Sequence, residues 1–392
     1  MTEASNSGYN PKDLSWSNLG QGAPECGEIP LSPARPYNVK LLEEDFEYSP
    51  VGGLPELRDA IAEMYNIRYR KGKKSQYSRE NVAISGGGRV GLTRVVSTLG
   101  RTNVGYTLPD YTAYEELLDA FSAFSPIPIL LSEENKYYLS PEEMRAEVLG
   151  RGLSTILLSN PSNPTGKVIQ GDELASWIKY SSEVGCALIF DEFYSHYIYS
   201  SPKLSVSAAE YVEDVDADSV IIIDGLTKNW RLPGWRVSWT LGPKQLIDAL
   251  TSAGSFLDGG CARPMQHAAL ELVSAKRADE EAKAIKLHFE EKRDFLQTAL
   301  RELGVTLHQP DGGFYCWGDL SRLPEKFNSG MKFFREALNH KVIIVPGEFF
   351  DINPGSRRAN RMSRFSNFCR FSFGPSMATL KQGIGNIQKM LA

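Results

Sequence analysis

The sequence predicts an α/β protein: a large domain with a mostly parallel central sheet flanked by helices, followed by a smaller C-terminal α/β domain. Three observations predict it. Short apolar runs without polar alternation recur between residues 33 and 275, as expected of strands covered on both faces. Segments with helical apolar spacing fall between them, which is the order that crossovers between parallel strands require. From residue 276 the pattern changes to one long charged helix followed by shorter strands, and no internal repeat or low-complexity block interrupts it.

Residues 1 to about 32 are polar and rich in Gly and Pro, ending in GQGAPECGEIPLSP, and are expected to form an extended arm rather than a helix. In LPELRDAIAEMYNIRYRKGK, Pro55 suits a helix start, because its fixed φ and missing N–H are harmless in a first turn. Leu57, Ala60, Ile61, Met64 and Tyr65 then share one helical face. NVAIS, TILLS, ALIF and SVIIID are the buried strands of the large domain, residues 33–275. Between two of them, GDELASWIKYSSEVG reads as a helix with Asp172 as its cap and Gly185 as its stop. The smaller domain, residues 276–392, opens on the helix RADEEAKAIKLHFEEKRDFLQTALRELG, and GGFYCWGDL, VIIVPG and CRFSFG are its strands.

With 392 residues, 42% hydrophobic and 23% charged, the chain is long enough for more than one core. The net charge of −5 gives no electrostatic reason to expect nucleic acid or an anionic membrane as a partner, and leaves small polar or acidic metabolites open. The N-terminal MTEASNSGYNPKDLSW has neither a basic region nor an apolar stretch, and no run of about 18 apolar residues occurs, so a cytoplasmic protein is expected. Cys26, Cys186, Cys261, Cys316 and Cys369 form no CxxC pair and no metal-type spacing with the dispersed histidines; scattered reduced thiols and no metal site are expected.

Parallel sheets present their functional loops at the carboxyl ends of the strands, so the polar residues after each apolar run are the candidates. TILLS is followed by NPSNPTG, with Asn160, Asn163 and Gly166; ALIF by DEFY, with Asp191 and Tyr194; SVIIID by GLTKNWRLPGWR, with Thr227, Lys228 and Arg236. Taken singly, a lysine at a strand end is a surface residue, an aspartate a helix cap and NPTG a turn. Together, an amide, a carboxylate with a phenol, and a lysine with an arginine complement a phosphorylated aromatic aldehyde.

At this point the chain resembles the class I/II aminotransferases, the pyridoxal phosphate enzymes of fold type I. LGQGAPE, YSPVGGLPELRDAIA, SGGG, LPDYTAY, NPSNPTG, DEFY, TKNWRLPGWR and CRFSFG occur in the family's order over nearly the whole chain. The resemblance implies pyridoxal 5'-phosphate as cofactor, a homodimer with shared active sites, and an amino acid and a 2-oxo acid as substrates of a ping-pong reaction through a Schiff base on Lys228. Burial can lower a lysine pKa by up to ~3–5 units and expose a neutral nucleophilic amine. The same resemblance implies that Asp191, in preference to the adjacent Glu192, faces the pyridine nitrogen, and that Tyr194 and Asn163 donate to the ring oxygen. Arg236 is implied to fork on the phosphate, where planar bidentate geometry outperforms a point charge. Thr227 and the backbone amides of Gly87, Gly88 and Arg89 complete that cradle.

Tyr111 is implied to stack on the cofactor ring, and Tyr48 to reach the phosphate of the neighbouring subunit. Arg370 matches the clamp on the substrate α-carboxylate, with Gly22 closing over the same substrate. Two positions depart from the family pattern. Gly225 stands where many relatives carry a phosphate-contacting serine, and Arg89 stands where a small or hydroxylated residue is frequent; Arg89 is expected either to replace the missing contact or to face solvent. Arg231 is expected in solvent, and Arg263 in a structural salt bridge rather than reaching across an interface to an acidic substrate. The alternative reading is a pyridoxal-phosphate-dependent lyase or carbon–carbon bond-forming enzyme on the same scaffold, since fold does not choose among these reactions.

Overall fold

The computed structural model describes residues 2–121, 123–359 and 362–392. In chain order the strands are β1 (Ser17–Asn18), β2 (Val82–Ser85), β3 (Asn103–Leu108), β4 (Ser125–Leu130), β5 (Thr155–Ser159), β6 (Ala187–Asp191), β7 (Val220–Gly225), β8 (Ser238–Leu241), β9 (Thr306–Leu307), β10 (Tyr315–Asp319), β11 (Val342–Ile343), β12 (Val345–Pro346) and β13 (Phe368–Ser372). Strands β2 to β8 form one seven-stranded sheet in the order β2-β8-β7-β6-β5-β3-β4. Only β8 runs against the others, pairing antiparallel with β2 and β7. The carboxyl ends of β2, β3, β5, β6 and β7, together with the amino end of β8, therefore meet at a single edge.

The burial explains the composition of these strands. Strands β5 and β7 are buried at every residue and β6 at all but Ala187, so polar alternation has no place in them. On one face, Leu57, Ile61, Met64 and Tyr65 of helix Pro55–Tyr69 join Ile84, Leu158, Ile222 and Trp239. On the other, Leu92 and Val95 of helix Gly88–Thr98 join Leu157, Ile189 and Ile223. Each large aliphatic side chain buried in this way contributes about 1.5–3 kcal/mol. In the helix Asp172–Glu183 the cap position is taken by Gly171, which corrects the expectation for Asp172: that carboxylate sits in the first helical turn, where it still favours the positive end of the helix dipole. Gly185 ends the helix as expected, with a left-handed φ of 67°.

The C-terminal region packs its own core around the long helix Ala275–Glu302 and a four-stranded antiparallel sheet, β12-β13-β10-β9. The N-terminal segment differs from the extended arm expected. It contains a short helix, Thr2–Asn6, and β1, which pairs in parallel with β11. Ala4, Trp16, Leu19 and Ile29 are buried in the C-terminal core; apolar anchors at such irregular spacing leave no periodic signal in a sequence. A second tie runs the other way: Phe350, Ile352 and Phe365 pack among Tyr106, Leu108 and Tyr114 of the large sheet's flank, and the Asp110 amide donates to the Phe350 carbonyl at 3.0 Å. These ties bring β10 and β13 over the active edge of the seven-stranded sheet. Among the described residues no helix is long and apolar enough to cross a membrane.

Candidate active site

A cavity of about 440 Å³ opens at that edge, lined by residues from the ends of β2, β3, β5 and β6 and from the β7–β8 connection, among them Arg89, Tyr111, Asn163, Asp191, Lys228 and Arg236. Gly88, Tyr194 and Thr227 line it as well. The strand ends thus converge as the parallel topology requires.

Lys228 lies on a single helical turn, Leu226–Asn229, directly after β7. Its amine donates to the Gly22 carbonyl at 2.5 Å, which sets the N-terminal segment over the cavity. Burial, reinforced by the nearby Arg370 guanidinium and opposed by Asp191, lowers its pKa to about 8. The turn is held from behind. Tyr197 donates to the Lys228 carbonyl at 2.9 Å, and the Asn229 side chain donates to Asp224 at 2.7 Å and to the Ser195 hydroxyl at 2.9 Å. Lys228 is therefore registered against the ends of both β6 and β7.

Asp191 closes β6 and is buried. Burial raises its pKa to about 6, against hydrogen bonds from the Tyr114 hydroxyl (2.8 Å) and the Phe193 amide (3.3 Å) and against the Lys228 charge. Its neighbour Glu192 is spent elsewhere, accepting from the Ala208 amide at 2.7 Å. Alternation along an extended chain sends the two carboxylates to opposite sides, and only Asp191 lines the cavity.

A polar cluster roofs the cavity. Arg370 donates to Asn163 Oδ1 and to the Gly20 carbonyl, both at 2.9 Å, with its guanidinium carbon 4.1 Å from the centroid of the Tyr315 ring. Asn163 Nδ2 donates to the Tyr194 hydroxyl at 3.5 Å, and the Tyr194 and Tyr315 hydroxyls lie 3.0 Å apart. Asn160, by contrast, is structural: its amide exchanges two hydrogen bonds with the backbone of Ile169.

The opposite end suits an anion. Gly87 precedes the helix Gly88–Thr98 with φ of 101°, and a Cβ there would fall 1.9 Å from Arg236 Nη2. Only glycine lets the loop and the guanidinium approach so closely. The Gly87 amide is not a free donor as expected, because the tight turn aims it at the Ser85 carbonyl at 2.8 Å. The cradle therefore falls to the amides of Gly88 and Arg89, which as first residues of the helix have no intrahelical acceptor. Thr227 Oγ1 is buried with no hydrogen-bond partner among the described residues, an arrangement that costs about 1–3 kcal/mol until an acceptor arrives. Gly225 has no room for a serine: a Cβ would lie 2.6 Å from Ser238 Cα, where β7 and β8 are closely paired. An orphan hydroxyl, a guanidinium and free helical amides fit a phosphate, and a half-buried lysine opposite a buried carboxylate fits an aromatic aldehyde with a basic ring nitrogen.

Arg89 is neither loose nor turned away: its Nη2 donates to the Tyr111 hydroxyl at 3.0 Å on the cavity wall. Tyr48 does not line the cavity of its own chain and is 94% exposed. Arg231 overturns the expectation of solvation. It is fully buried, donating to the carbonyls of Gly27 (2.6 Å) and Glu25 (3.3 Å) and pairing with Glu281 at 3.5 Å, because the N-terminal segment folds across it. Arg263 makes the structural ion pair expected, with Glu44 at 3.3 Å. Two side chains escaped the sequence reading. Tyr114 stands three residues after Tyr111, whose carbonyl accepts from the Tyr114 amide at 2.9 Å in the turn that opens the helix Ala113–Asp119; Tyr315 left no signal, since its place depends on the pairing of β10 with β13.

The family profile described as "Aminotransferase class I and II" matches residues 17–387. A protein of Aquifex aeolicus designated "Probable aspartate/prephenate aminotransferase" is 28% identical over 358 residues, 90% of this chain and 85% of that one. Transaminase BacF of Bacillus subtilis is 29% identical over 389 residues, 95% of this chain and 88% of that one. In fold, the chain superposes on the aspartate aminotransferase of Thermus thermophilus with maleate at a TM-score of 0.79 and 22% identity, covering 100% of this chain and 94% of the other.

Proposed function

The chain belongs to the class I and II aminotransferases and is an enzyme that transfers amino groups; on that premise we propose that it holds pyridoxal 5'-phosphate on Lys228 and moves an amino group from an amino acid to a 2-oxo acid. The observation that carries this reading is the half-buried Lys228 amine, with a pKa of about 8, sharing one cavity with the Asp191 carboxylate and the Thr227 hydroxyl, which has no partner among the described residues. When bound, the cofactor supplies an electrophilic aldehyde and a ring that accepts electrons from the substrate α carbon.

The chain's own residues do the rest. Lys228, as a neutral amine, would accept and return the proton at the substrate α carbon. Asp191 keeps the ring nitrogen protonated, and a cationic neighbour draws its own pKa below the value of about 6 that burial imposes. Tyr194 and Asn163 donate to the ring oxygen. Arg236, Thr227 and the amides of Gly88 and Arg89 hold the phosphate, while Tyr111 stacks on the ring. Arg370, braced by Asn163, binds the α-carboxylate, and Gly22 covers the substrate. Tyr48 belongs to the phosphate site of a second copy, and its exposure beside exposed Phe46, Leu41 and Tyr37 supports a homodimer with shared sites. A cytoplasmic location agrees with five free cysteines.

Arg89 bears on cofactor retention through Tyr111. Arg89→Ala is expected to raise the dissociation constant for pyridoxal phosphate about tenfold, the worth of one charge-assisted hydrogen bond, as read by equilibrium titration. An unchanged constant would remove Arg89 from the cofactor site. The overall reading is tested by a half-reaction. The yellow holoenzyme, mixed with single amino acids and no acceptor, should lose its visible band to that of the aminated cofactor; aspartate, carried in the relatives' names, heads the panel. A band that persists with every donor while other products form would favour the lyase reading.

A further inference from the structure

We infer that Tyr315 is a positioning residue of the reaction: its hydroxyl polarises Tyr194 and its ring seats Arg370. The inference rests on the cofactor reading above. Tyr315 is fully buried on β10, where antiparallel pairing sets Tyr315 opposite Ser372 and Trp317 opposite Arg370 of β13. Its hydroxyl lies 3.0 Å from that of Tyr194, and its ring centroid lies 4.1 Å from the guanidinium carbon of Arg370. The N-terminal segment closes directly over this pair, since a Cβ on Gly22 would stand 3.7 Å from the Tyr315 hydroxyl.

The direction of the phenol–phenol hydrogen bond follows from a proton count. Each hydroxyl has one proton to give and two lone pairs to accept with. Asn163 Nδ2 already donates to the Tyr194 oxygen. If Tyr315 donates as well, both lone pairs of Tyr194 are filled and its one proton is left for an acceptor in the cavity. If Tyr194 donated to Tyr315 instead, it would have nothing to offer the ring oxygen. Burial raises the pKa of both phenols, so both are protonated at neutral pH. A phenol that accepts one hydrogen bond donates the next more strongly, and a donor aimed at a negative oxygen favours the more negative form. Tyr315 therefore lowers the pKa at which the bound chromophore changes colour.

The ring has a separate task. Arg370 Nε has no partner among the described residues, and two rings flank the guanidinium carbon, Tyr315 at 4.1 Å and Phe350 at 5.0 Å, of which the nearer Tyr315 face contributes the larger share in fixing its plane. The two tasks separate by substitution. In holoenzyme, Tyr315→Phe keeps the ring and removes only the hydroxyl; Tyr315→Leu removes both. The visible band of each is titrated against pH, and kcat and KM are measured with an amino-acid donor. Tyr315→Phe should raise the pKa of the band by about 0.5–1 unit with KM within about twofold of wild type. Tyr315→Leu should add a rise in KM of about 3- to 30-fold, the span between an exposed and a desolvated cation–π contact. A Tyr315→Phe band that titrates like wild type overturns the polarising role while leaving the cofactor reading intact. Unaltered KM in Tyr315→Leu overturns the seating role. A wild-type protein with no titrating visible band removes the cofactor reading and this inference together.

Discussion

Lys228→Ala lowers kcat at least ~10²–10⁴-fold, the range lost with a positioned acid–base group, and leaves a folded protein that still takes up pyridoxal phosphate. The two halves of this expectation come from different residues. Transfer fails because, among the described residues, no other lysine lines the cavity beside Asp191. Uptake persists because the phosphate end is built from Arg236, Thr227 and the amides of Gly88 and Arg89, none of which Lys228 holds in place. Folding persists because burial and the Arg370 charge oppose the lysine's own charge, and the substitution relieves both. Borohydride reduction followed by intact-mass measurement should leave wild type with a covalent adduct and the variant with none. A variant that still forms the adduct or keeps wild-type kcat would place the attachment elsewhere.

The same lysine sets a pH dependence. A pKa lowered from 10.5 to about 8 makes the neutral amine the major form above about pH 8 rather than above 10.5. The rate of covalent uptake by cofactor-free wild type should rise about tenfold per pH unit below that value and level off above it, because only the neutral amine is a nucleophile.

Arg370→Ala is the second large loss: kcat/KM for amino-acid donors falls about 10²–10⁴-fold while the cofactor stays bound. The fork a carboxylate needs consists of two charge-assisted hydrogen bonds, each worth ~1.5–3 kcal/mol, and the α C–H bond is left unoriented without it. The cofactor stays because Arg370 contacts Asn163, the Gly20 carbonyl and the Tyr315 ring, not the phosphate cradle. Steady-state kinetics with the visible spectrum of the purified variant decide the point; a colourless Arg370→Ala protein would assign this arginine to the cofactor instead. Arg370→Lys should recover little, since an ammonium offers no planar fork and cannot bridge Asn163 and Gly20 in the same way.

How much of this was legible before folding depends on reach along the chain. Asp191, Thr227 and Lys228 stand at or just after the ends of their strands, and a parallel sheet carries every such end to one edge, so local pattern made them candidates, and the resemblance chose Asp191 over Glu192. The resemblance supplied Arg370 and Tyr48, which no strand-end rule would pick. What stayed hidden were partnerships across long separations: Tyr114 with Asp191, 77 residues apart; Tyr194 with Tyr315, 121 apart; Arg370 with Asn163, 207 apart.

Arg231 shows the same limit from the other side. A guanidinium near a strand end reads as solvated until the segment around Glu25 and Gly27 folds across it and supplies two carbonyls, with Glu281 as the third partner. By itself the sequence determined the α/β class, four of the seven strands of the large sheet (β2, β5, β6 and β7) and the kinds of chemical group at their ends, because apolar runs and strand-end position act over a few residues. Only the tertiary structure decided which of those groups are paired, which are left free for a ligand, and where each pKa moves. Those properties belong to desolvation and to contacts between elements, and both arise only once the sheet edge, the β10–β13 pair and the N-terminal segment have closed on one cavity.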